Sequence, residues 1–74
     1  MNTLTDLNEG EKAQVLELKS DEDIRRRLMD IGLVEGTEVT CVQKSPCGDP
    51  VAYLIRGAII AIRCEDSDKI IIGR

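Results

Sequence analysis

No histidine, tryptophan or phenylalanine occurs in this 74-residue sequence, and Tyr53 is its one aromatic residue. Without histidine the chain has neither the commonest general base nor the commonest transition-metal ligand, so covalent triads of the usual kind are excluded. No GxxxxGK[ST] or GxGxxG segment is present, which leaves no loop to cradle a phosphate. The chain is therefore expected not to be an enzyme. A single aromatic also excludes base stacking on single-stranded nucleic acid and the aromatic-lined groove that docks proline-rich peptides.

Positive charge is scarce as well. Ten Lys and Arg stand against fourteen Asp and Glu, for a net charge of -4. An acidic domain repels a phosphate polymer, so nucleic acid is not an expected partner. No apolar run approaches the roughly 20 residues that span a bilayer. The opening MNTLTDLNEG carries neither the basic flank nor the apolar stretch of a secretory signal. A cytoplasmic location with no direct membrane insertion is expected. The cysteines Cys41, Cys47 and Cys64 are three, an odd set that suits a reducing compartment better than a disulfide framework.

What remains is aliphatic: 42% of residues are hydrophobic, and the core must come from Ile, Leu, Val and Ala. A chain this short supports one core and hence one domain, residues 1–74, with no buried cofactor expected. Leu4 and Leu7 anchor a lead-in that turns at residues 8–10. Residues 12–19 alternate imperfectly as a first strand, with Ala13 and Val15 on one side. Ser20 is placed to cap a helix whose first turn holds Asp21, Glu22 and Asp23. Ile24, Leu28 and Ile31 form its apolar face, Arg25 and Arg26 face outward, and Gly32 ends it.

Glu35-Gly36 signals a tight turn into a second strand, residues 37–44, where either Val39 and Cys41 or Thr40 and Val42 face inward. Residues 45–50 hold two prolines and a glycine and read as a loop. Val51–Ile55 and residues 58–63 form a hairpin across Arg56-Gly57, with Gly57 supplying positive φ. Residues 65–68 read as a polar turn before a last strand at 70–72. Five strands and one short helix imply an all-β fold, a small five-stranded barrel capped by the helix.

Two groups of residues are candidates for binding. Leu33 and Val34 follow the helix stop, and a thin barrel is not expected to bury both. With Arg25, Arg26 and Met29 they compose a partner-binding patch with an apolar centre and a charged rim. Cys47 and Asp49 in the 45–50 loop offer a thiolate and a carboxylate for weak iron or zinc binding, short of the four ligands of a structural zinc site.

The strings RRRLMDIGLVEGTEV and SPCGDPVAYLIRGAIIAIR resemble the ferrous iron transport protein A family (FeoA). The likeness rests on Leu7 and Gly10, on Arg27-Leu28, Gly32-Leu33 and Gly36, on Pro46, Gly48, Asp49 and Pro50, and on Gly57, Ile62 and Arg63. The chain departs from the family pattern at Glu35, at Cys47 and near Ser67. The resemblance implies a Src-homology-3-like barrel that serves as a non-catalytic accessory protein of ferrous iron uptake. It would bind the cytosolic part of a membrane ferrous iron transporter with an attached GTP-binding domain, and self-association stays open. It also leaves an alternative: a transition-metal-binding or metal-sensing regulatory module related to the C-terminal domain of iron-dependent repressors.

Overall fold

The computed structural model describes residues 2–19 and 21–73. Five strands form one antiparallel sheet: β1 (Lys12–Leu18), β2 (Glu38–Lys44), β3 (Val51–Ile55), β4 (Ala58–Ile62) and β5 (Ile70–Gly73), in the order β4-β3-β2-β1-β5. One nine-residue helix, α1 (Glu22–Asp30), follows β1. The expected five-stranded Src-homology-3-like barrel is present, with a sheet that curls around its core without pairing β4 to β5.

The inward positions are those that alternation demands. Ala13, Val15 and Leu18 of β1 are buried, as are Val51, Tyr53 and Ile55 of β3, and Ile70 and Ile72 of β5. The open choice in β2 is settled for Val39 and Cys41, both fully buried. Two irregularities explain why the alternation reads imperfectly. The register shifts between Val15 and Glu17 against β5 and between Cys41 and Gln43 against β3. The extra residues at these bulges, Leu16 and Val42, are exposed. A bulge sets two residues against one and so turns a side chain that strict alternation would hold elsewhere.

Three segments depart from expectation. The lead-in contains a 3₁₀ turn, Leu4–Asp6, in which the Asp6 carboxylate accepts the Thr3 N–H at 2.9 Å. The expected polar turn after β4 is instead a one-turn helix, α2 (Cys64–Ser67), and β4 stops at Ile62. In α1, Leu28 is buried and Ile24 packs against the core, but Ile31 is 37% exposed, so the apolar face is narrower than expected. The capping role read for Ser20 lies outside the described residues, and Asp21 occupies the position before the helix.

Two contacts tie the ends of the barrel to its sheet. Tyr53 is buried, and its hydroxyl donates to the Leu4 carbonyl at 3.3 Å, holding the 3₁₀ turn over one end. At the other end Gly32 stops α1 with φ of 94°. A Cβ there would stand 2.6 Å from Cδ of Arg56, whose side chain lies across the glycine. Helix stop and β3–β4 turn are thus in contact, and both the dihedral and the space call for glycine. Arg56 itself adopts φ of 50°, a left-handed conformation that the sequence reading assigned only to Gly57.

Gly32→Ala is expected to lower stability by about 1–3 kcal/mol, from a strained φ and displacement of Arg56; urea unfolding of the two proteins measures it. Burial pushes the Tyr53 phenol up to about 12. A folded-state value above the unfolded one means that this contribution to stability is complete below pH ~10 and lost as the pH rises through the folded value. Because Tyr53 is the one aromatic, tyrosinate absorbance during an alkaline titration reports on it alone, and it should appear together with unfolding, near pH 12 rather than near 10.

Candidate functional site

Of the five residues read as a partner-binding patch, the structure brings three together. Arg25, Arg26 and Met29 project from the solvent side of α1 and line a shallow depression of about 350 Å³ with Glu22 and Asp30. Met29 is 45% exposed at its centre. Arg26 is 3.7 Å from Glu22 one turn earlier, an exposed pair of little energetic weight. Arg25 is exposed.

Leu33 does not belong to that surface. It is fully buried, because its N–H returns to the Leu28 carbonyl at 3.0 Å and swings the side chain under the helix into the core. Of Leu33 and Val34 only one is buried, as expected; the correction is that Leu33 has no place in the exposed patch. Val34 is half-buried and faces another depression, of about 560 Å³, with Glu35, Thr37, Thr40, Leu54 and Arg56 around it.

Cys47 is exposed at the tip of the loop between β2 and β3, where the Gly48 N–H donates to the Ser45 carbonyl at 2.8 Å. Asp49 is turned the other way. Its Oδ1 accepts the backbone N–H of Cys64 at 3.0 Å, and the Cys64 thiol reaches the Gly48 carbonyl at 3.3 Å. The carboxylate ties the loop to the start of α2 and satisfies an N–H that a helix leaves open. Burial and then Asp49 raise the Cys64 thiol above its ordinary value, and burial raises that of Cys41. Among the described residues no three His, Cys, Asp or Glu side chains converge as a metal would need.

A further depression was not anticipated. It runs between α1 and β4, measures about 710 Å³, and is lined by Ile24, Ile31 and Ile60 with Arg27 and Arg63 at its rim. Beside it Ile59 is 66% exposed on the outer face of β4. The signal in the sequence is the run Ala58-Ile59-Ile60-Ala61-Ile62, more apolar than a half-buried strand requires.

Residues 2–74 match the model of the FeoA domain. The chain is 34% identical over 67 residues to the Fe(2+) transport protein A/Fe(2+) transporter FeoB fusion protein of Porphyromonas gingivalis. That match takes in 90% of this chain and only 8% of the fusion protein. The FeoA protein of Chlorobium tepidum is similar in structure, with TM-score 0.91 at 31% identity, covering 96% of this chain and 68% of that one. The zinc complex of Stenotrophomonas maltophilia FeoA superposes with TM-score 0.86 at 27% identity, covering 99% of this chain and 91% of that one. It is described as a prokaryotic SH3-domain protein and candidate ferrous iron transport activating factor.

The contrast between Cys47 and Asp49 is testable by thermal unfolding. Asp49→Ala should cost about 1 kcal/mol through loss of its bond to the Cys64 N–H, whereas Cys47→Ser should leave the midpoint where it is.

Proposed function

This chain belongs to the FeoA domain family, and from that premise we propose that it is a non-catalytic accessory module of ferrous iron uptake. It docks on the cytosolic part of a membrane ferrous iron transporter that carries a GTP-binding domain, and it acts by preferring one transporter conformation over another. The observation that carries this reading is the relative in which the same domain is joined to FeoB in one polypeptide. Covalent linkage raises the effective concentration of two modules toward the millimolar range for a short linker. Such a gain matters for two modules that touch and brings nothing to two that work apart.

The docking surface is the solvent side of α1. Met29 supplies an adaptable apolar centre, and Arg25 and Arg26 give it a cationic rim on a chain whose net charge is -4. Docking by a rigid helix requires no reorganisation of the barrel, because the buried Leu28 and Leu33 beneath it already fix the helix in place.

Met29→Asp should weaken binding to the transporter's cytosolic part by about 1 kcal/mol, roughly fivefold, without shifting the unfolding midpoint. Arg25→Glu should chiefly slow association and flatten its salt dependence. Calorimetry and association kinetics at two ionic strengths, with and without guanine nucleotide, decide it. Wild-type behaviour in both variants would remove α1 from the interface.

A further inference from the structure

The two edges of the sheet are treated differently. At β5 the Ile72 N–H donates to the Asn2 carbonyl at 3.0 Å and Thr3 bridges Ile71, so the chain's own opening segment covers that edge. At β4 no described residue pairs with the outer side of the strand. Bare edges are ordinarily protected by a charge, a proline or a bulge. β4 has none: its sequence is Ala58-Ile59-Ile60-Ala61-Ile62, and its five pairs with β3 run without a shift in register.

The backbone groups on offer follow from the turn. Arg56 and Gly57 form a two-residue loop with φ of 50° and 86°, the geometry of a type I′ hairpin. Its closing pair, Ile55 with Ala58, is then hydrogen-bonded, as are Tyr53 with Ile60 and Val51 with Ile62. The intervening residues, Ile59 and Ala61, direct their N–H and C=O groups away from β3, toward solvent.

We infer that β4 is a self-association surface on which two copies of this chain pair antiparallel about a two-fold axis at Ile60, joining their sheets into one. A two-fold of this kind matches both the hydrogen-bond phase and the side chains. Ile59 exchanges both backbone bonds with Ala61 of the second copy, and Ala61 with its Ile59. Each off-centre cross-strand pair sets a large residue against a small one, Ile59 on Ala61 and Ala58 on Ile62. The central pair, Ile60 on Ile60, falls on the α1 side, where the depression of about 710 Å³ lined by Ile24 and Ile31 receives the second copy's side chain. No charge is brought opposite a like charge within the strand, and an isologous contact of this type closes at two copies.

Sedimentation equilibrium of the full chain from micromolar to roughly millimolar concentration tests the pairing. The wild type should show a monomer–dimer equilibrium. Ile59→Lys should raise its dissociation constant at least about tenfold, as lysine on an edge strand does. Ala61→Pro should do the same by deleting an outward N–H, a position where an edge strand tolerates proline. Both should keep the wild-type circular dichroism, and a mixed-isotope sample should give intermolecular contacts between Ile59 and Ala61. A wild type that stays monomeric throughout, or a dimer that survives in both folded variants, overturns the pairing. A monomeric wild type whose binding to the transporter's cytosolic part is abolished by Ile59→Lys also overturns it and gives the edge to the transporter.

Discussion

A sheet of five short strands leaves two rows of backbone N–H and C=O groups without partners in the sheet, and the rest of this molecule is arranged around where those rows go. On the β5 side the chain spends its first residues on the problem: Asn2 and Thr3 lie against Ile71 and Ile72. That placement draws the 3₁₀ turn over the barrel end, where Leu4 and Leu7 are fully buried and Tyr53 holds the Leu4 carbonyl. With no phenylalanine or tryptophan to fill the interior, this one ring and its hydrogen bond stand in for what a larger aromatic core would provide. Among the described residues the β4 side receives no such cover, and helix α1 leaves a depression beside it rather than a seal.

Local chemistry made the sheet legible in the sequence. The β3–β4 hairpin follows from Gly57 between two short apolar runs, and the helix follows from its acidic first turn and Gly32. What was not legible depends on contacts between residues far apart in the chain. The helical turn at Cys64–Ser67 is anchored by Asp49, fifteen positions earlier, and by Thr5, whose hydroxyl donates to Asp68 at 2.7 Å across sixty-three positions. No window of sequence contains both partners. Which of Leu33 and Val34 is buried was not legible for the same reason, since the burial of a residue after a helix stop depends on how the helix docks.

The candidate site divides along a similar line. Arg25, Arg26 and Met29 are neighbours because of helical spacing, which a sequence displays, and they stand together in the structure. Val34 was joined to them by proximity in the chain, but the Gly32 stop turns the backbone and carries Val34 to another face. Cys47 and Asp49 are two residues apart in the chain, yet one faces solvent while the other is committed to the Cys64 N–H. A loop closed at both ends by hydrogen bonds does not leave adjacent donors free to converge.

Helix α1 and the edge of β4 flank the same depression, bordered by Leu28 and Asp30 of the helix and Ile60 and Ala61 of the strand, while the solvent side of α1 lies beyond it. That side and the strand edge are chemically distinct: one is a cationic rim around a methionine, the other an uncharged strand whose offer is backbone hydrogen bonds. A helix face recognises side chains and tolerates an irregular partner, whereas a strand edge requires a second strand in phase. The two can therefore be occupied at once by different partners. Pairing through β4 would present two α1 faces related by a two-fold, and a transporter assembled with matching symmetry would then be gripped bivalently. Under that arrangement a modest affinity at each helix is multiplied without any new contact, provided both faces reach their sites together.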